Sequence, residues 1–190
     1  NVAIGRSALT NEDTGSRNVA VGNGALQTLN FDGTAYNVAV GYDAGANIIT
    51  GVQNVIMGAL AGDALTTGSN NIAIGYRALS TETEHGRNIA IGQDALFTQN
   101  AGANAFNIAI GFEAGKSVTS GTDNTLVGGL SGDSLTTGAF NVAIGTRALG
   151  AEDAHGRNVA VGYSALATQN AGADAHNVAV GFQAGLNVTT

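Results

Sequence analysis

Apolar and polar positions recur along this chain in a fixed order: an Asn, then Val or Ile on either side of a small residue, then a Gly. NVAVG stands at 18–22, 37–41, 158–162 and 177–181, and NIAIG at 71–75, 88–92 and 107–111. The Asn falls at 1, 18, 37, 54, 71, 88, 107, 124, 141, 158 and 177, in steps of 17, 19, 17 and 17 that then repeat. A super-repeat of 70 residues therefore carries Asn1 onto Asn71 and Asn141. Ten complete units and a truncated eleventh make residues 1–190 a single repeat array, which reads as a fragment of a longer fibre.

Counting from the Asn, position 5 is always Gly, and position 8 is Ala except at Ser131. Positions 2 and 4 are Val, Ile or Met except at Thr125, and position 3 is usually Ala. Alternation over so few residues predicts a short strand ended by the Gly. The apolar positions 2 and 4 are expected to face the core. Ala at position 3 is expected on the other face, against a close neighbour, so that both faces are covered. After position 8 the units divide into two kinds. Some have Leu at position 9, as in RSAL (6–9) and YRAL (76–79); others have Gly there and an apolar residue at position 12, namely Ile48, Leu65, Val118, Leu135 or Val188. One core slot is thus filled from either position, as a stack of constant cross-section requires. The expected fold is all-β: a parallel β-roll or β-solenoid of 17–19-residue coils, rising ~4.8 Å per coil.

Composition adds a partner to this picture. The apolar 44% is mostly Ala, Val and Ile, with 29 Gly and no Pro, Cys or Trp. Each coil offers about four mostly small apolar side chains against the entropy of ordering 17 residues. Burial by further chains would offset that deficit, and the Ala-lined face is where they would pack. A net charge of −7 with scattered basic residues argues against nucleic-acid binding. No apolar run reaches the ~18–20 residues of a membrane-spanning helix, so no membrane insertion by this segment is expected. The absence of Cys excludes disulfides and thiolate metal sites.

The N-[VI]-A-[IV]-G core, repeated with its small-residue second element, resembles the head repeats of trimeric autotransporter adhesins and similar repeats in trimeric phage tail fibres and surface fibres. The units here are about three residues longer than in the adhesin pattern and typically have no extra residue between Asn and the apolar triplet. The resemblance implies a homotrimer, intertwined or side by side, with the Val/Ile strand lining the three-fold axis. It implies a non-enzymatic adhesin or host-attachment fibre, extracellular, on a cell surface or on a virion, that binds glycans or other surface receptors multivalently. Two readings compete with it: a structural shaft whose recognition lies elsewhere, and, more remotely, an acyltransferase of the left-handed β-helix type.

The recurrent Asn reads as a structural ladder that satisfies backbone groups between coils. AGKS at 114–117 is not a phosphate loop, because Gly111 and Gly115 enclose three residues where four are needed. His85 and His155 sit at equivalent positions after acids (Glu82 and Glu84; Glu152 and Asp153), an arrangement read as an exposed, charge-mixed turn rather than a catalytic base. The Thr66–Thr67 and Thr136–Thr137 pairs are too sparse for an ice-binding ladder, and Asp63 and Asp133 lie in no calcium-loop pattern. No catalytic residue, metal ligand or cofactor is assigned. The candidate recognition surface is the two-residue insertion in every fourth unit: LNFDGTAY (29–36), TQNAGANAF (98–106) and TQNAGADAH (168–176). Its candidate residues are Phe31, Asp32 and Tyr36; Asn100, the Ala103–Asn104 pair and Phe106; and Asn170, Asp174 and His176.

Overall fold

The computed structural model describes residues 1–189. Eleven three-residue strands, from Val2–Ile4 to Val178–Val180, pair in parallel and in chain order into one sheet. Their register joins equivalent positions, as in Ala73 opposite Ala90 and Ile74 opposite Ile91. The chain is a β-solenoid with one strand per coil, and the coil of 17 or 19 residues fixes the register. No helix among the described residues is long and apolar enough to cross a membrane.

The strands are turned the opposite way from the expectation. From Ala20 to Ala160 the position-3 residues are completely buried inside the coil, whereas Ala3 in the first coil is exposed, and it is the residues of positions 2 and 4, mostly Val and Ile, that point outward, half-buried or exposed. The interior is too narrow for two β-branched side chains in addition to the Leu of position 9. A methyl group from the strand and a Leu or Ile from the opposite wall fill it. Where position 9 is Gly, position 3 is free to be large, as Ile56 and Leu126 are. A Cβ on Gly62 would lie 3.0 Å from Ile56 Cδ1, and one on Gly45 would lie 2.9 Å from Ile48 Cδ1. The exchange of the core slot between positions 9 and 12 is therefore real: Leu26, Ile48, Leu65, Leu79, Leu96 and Val118 are all fully buried. Val188, in the last coil, is 36% exposed.

Position 5 has both reasons to be Gly. Gly75 has φ +132°, and a Cβ there would lie 2.5 Å from the carbonyl oxygen of Gly92 in the next coil. Three further residues per coil turn through the left-handed region, and side chains other than Gly often fill them. In one coil these are Arg77 (φ 54°), Leu79 (φ 52°) and Arg87 (φ 65°). Each such residue works against the intrinsic ~1–2 kcal/mol penalty of that region, which the inter-coil hydrogen bonds and burial must offset.

The Asn column is buried from Asn18 to Asn158 and forms the expected ladder. Ten successive Asn backbone N–H groups, from Asn18 to Asn177, donate to the side-chain Oδ1 of the Asn one coil earlier. The amide nitrogen closes the turn from the other side: Asn54 Nδ2 donates to the Gly68 carbonyl at 2.9 Å and Asn71 Nδ2 to that of His85 at 3.3 Å.

Candidate functional site

The three insertion loops return every fourth coil, roughly 19 Å apart at ~4.8 Å per coil, so their candidate residues do not converge on one pocket. Within a loop, much of the polar capacity is already committed to the array. Thr14 Oγ1 donates to Asp32, the Gly86 N–H donates to Asn104 Oδ1 at 3.1 Å, and the Gly156 N–H donates to Asp174 Oδ1 at 2.9 Å. That last bond, with Arg157 paired to the same carboxylate, holds Asp174 below the usual carboxylate range. Asn100 Oδ1 accepts from Thr83 Oγ1 at 3.4 Å. Phe31 packs against the core, whereas Gly102, Ala103 and Asn170 are exposed. The 171–177 loop encloses a shallow hollow of about 410 Å³ lined by Ala171, Asp174 and Asn177.

The residue before each Asn forms a column in which an Arg stands next to an aromatic ring three times, separated by Gln53, Asn70 and Asp123. Arg17 lies 5.5 Å over the Tyr36 ring, Arg87 5.4 Å over Phe106, and Arg157 5.7 Å over Phe140. Tyr36 and Phe106 are about half exposed, and His176 occupies the same column. The Tyr36 and Phe106 rings thus each carry a guanidinium on one face.

The turn holding His85 and His155 is not simply a solvated face. Glu82 and Glu152 are fully buried, because each takes the position-12 slot that Ile48 or Leu65 fills elsewhere. Their oxygens have defined partners. Glu82 Oε1 accepts from the His85 N–H at 3.2 Å, and its Oε2 from the Ala101 N–H at 3.4 Å. Glu152 Oε1 accepts from the His155 N–H at 3.2 Å, and its Oε2 from Gln169 Nε2 at 3.1 Å and the Ala171 N–H at 3.3 Å. Glu12 does the same for Gly15 and Phe31, although it is only partly buried. These carboxylates tie the turn of one coil to the start of the insertion loop in the next. Sequence reasoning missed them; the signal was Glu at position 12 in each unit that precedes an insertion.

His85 Nδ1 and His155 Nδ1 face the same carboxylates at 3.8 and 3.4 Å. Ligand atoms of Glu152, Asp153 and His155 lie within 4.8 Å of one another, close enough for these three residues to approach a common cation. Thr83 stands where Asp153 does, so the trio does not recur in the preceding super-repeat. The bonds that Glu82 and Glu152 accept from the backbone N–H groups of His85 and His155 order the turn.

A second hollow, of about 450 Å³, lies on a different wall, between positions 7 and 10 of the late coils. Asp133 and Arg147 line it together with Leu130, Gly150, Ser164, Ala167 and Leu186. Burial pushes the Asp133 carboxyl above its ordinary range. In the super-repeat before it, by contrast, Arg77 Nε donates to Asp94 at 2.8 Å. Burial pushes Asp94 up, but the bonds from Arg77 and Gln93 outweigh this and hold it below the ordinary range.

In comparisons with protein-family models, curated proteins and solved structures, nothing matches this chain.

Proposed function

We propose that this chain is a non-enzymatic segment of a homotrimeric attachment fibre whose outward strand faces pack together, leaving the insertion loops displayed at regular intervals. The observation that carries this reading is the outer face of the parallel sheet. Val, Ile or Met at positions 2 and 4 continues along the eleven strands with the single exception of Thr125, and Met57, Ile110 and Ile144 among them are about 40% exposed. Parallel sheets are ordinarily covered on both faces, and a continuous apolar stripe of this kind marks an interaction surface. A fibre of this type would work on a cell surface or virion, where repeated loops convert weak contacts with glycans or other receptors into avidity.

Sedimentation equilibrium tests the assembly: three chain masses are expected for the native chain and one for an Ile74→Lys, Ile91→Lys double variant. A native chain that remains a monomer at high concentration would refute the reading. Glycan-array binding tests display, with Tyr36→Ala and Phe106→Ala together expected to abolish it in a trimer of native mass. The internal commitment of Asp32, Asn104 and Asp174 favours the second reading, a spacer whose recognition lies elsewhere. Array binding unchanged by the loop variants, or absent from the native trimer, would select that spacer.

A further inference from the structure

The hollow at Asp133 and Arg147 is a place where consecutive super-repeats differ in a correlated way. In the earlier one, Arg77 is held by Asp94 and lies 5.0 Å under the Tyr76 ring centroid and 4.8 Å from that of Phe97. Ser80 Oγ donates to Asp63 Oδ1. Seventy residues on, Arg77 and Asp63 return as Arg147 and Asp133, but every one of their partners is gone: Tyr76 becomes Thr146, Ser80 becomes Gly150, Asp94 becomes Ser164 and Phe97 becomes Ala167. Among the described residues, neither Arg147 nor Asp133 takes part in an ion pair, with each other or with any other group. Lys116, one coil before Asp133, donates to Glu113 at 3.1 Å.

The vacated volume is shaped by what left it. A Cβ on Gly150 would lie 3.4 Å from Asp133 Oδ1, so the carboxylate faces the position from which Ser80 serves its counterpart. The loss of a phenyl ring at Ala167 leaves a floor of Leu130, Ala167 and Leu186. The groups removed from the earlier arrangement are a carboxylate for the guanidinium, a hydrogen-bond donor for the Asp, and an aromatic ring beside the guanidinium.

We infer that this hollow binds a free aromatic α-amino acid as its zwitterion. The ligand carboxylate pairs with Arg147, its ammonium group donates to Asp133, and its ring lies over the floor where Phe97 lies in the preceding super-repeat. Both charges on the protein are required, because either one alone would meet the wrong end of a zwitterion. The wall carrying positions 7 and 10 is separate from the outward strand face, so the site does not depend on the assembly proposed above.

Titration calorimetry of the whole chain with L-phenylalanine tests this. Saturable binding is expected with a Kd on the order of a millimolar or below, as the size of the ligand permits. A chain carrying Gly150→Ser, Ser164→Asp and Ala167→Phe restores the earlier arrangement and so keeps its fold; its affinity should fall at least about tenfold. 3-Phenylpropionate and phenethylamine, which each lack one charge, should likewise bind at least about tenfold more weakly. No saturable heat with L-phenylalanine, equal affinity in the restored chain, or equal affinity for either singly charged analogue would overturn the assignment.

Discussion

Asn71 gathers three roles of its column in one side chain. It is completely buried; its Oδ1 accepts from the Asn88 N–H at 3.1 Å and its Nδ2 donates to the His85 carbonyl at 3.3 Å. Truncation to Ala leaves a buried N–H and a carbonyl without these partners, which costs about 2 kcal/mol. Urea unfolding of Asn71→Ala should register that loss; a change below ~0.5 kcal/mol, the size usual for surface substitutions, would mean that water replaces the amide. Asp94 provides a pH-dependent counterpart. Its pKa is depressed in the folded chain, chiefly against a burial effect of opposite sign, by the bonds from Arg77 and Gln93. The resulting stability is fully present above the ordinary Asp value of ~3.9, and disappears as pH falls below that value through the folded pKa. Asp94→Asn should therefore be less stable than the native chain at neutral pH and converge with it in acid. Thermal unfolding across that range provides the check, and parallel curves at all pH values would refute it.

At the scale of the element, the coil was legible because its punctuation is chemical. Asn and Gly recur where only a compact amide and a Cβ-free residue fit, so coil length, parallel register and the exchange of Leu79-type for Ile48-type residues followed from spacing. The inside and outside of the strand were not legible. Alternation within three residues gives two faces without saying which is narrower, and large apolar residues at positions 2 and 4 point to the core only if the core is wide enough to take them. The left-handed residues were hidden for a related reason: Arg77, Leu79 and Arg87 carry no local preference for that region, and the stack imposes it. Of the candidate loops, position along the chain was legible, but their attachment through a buried Glu in the preceding coil was not. That attachment predicts a local effect. Glu82→Gln keeps the volume but turns one accepting oxygen into a donor facing the N–H groups of His85 or Ala101. Amide exchange at Ala101 and its neighbours should accelerate by about tenfold or more, the equivalent of ~1.4 kcal/mol, while exchange in the strands stays the same. Equal acceleration throughout would instead mean that Glu82 supports the whole stack.

For the molecule as a whole, reversal of the strand separates two forms of stability that ordinary destabilising variants mix. Ala73 lies inside a coil whose slot is filled by Leu79, so Ala73→Leu overpacks the interior by about 1–3 kcal/mol. The coils that do carry Ile56 or Leu126 at this position have Gly62 or Gly132 at position 9, a relief that Ala73 lacks. Ile74, one residue along, points outward. Thr there keeps β-branching and strand propensity and should change the single-chain fold by less than ~0.5 kcal/mol, but it breaks the apolar stripe. Association stabilises a folded chain in proportion to the logarithm of partner concentration, so the two substitutions should differ in kind. The native array should unfold at a denaturant midpoint that rises with protein concentration. Ala73→Leu should lower that midpoint and keep the concentration dependence, whereas Ile74→Thr combined with Ile91→Thr should remove the dependence. If both variants show the same dependence, the outward stripe is not where the chains meet.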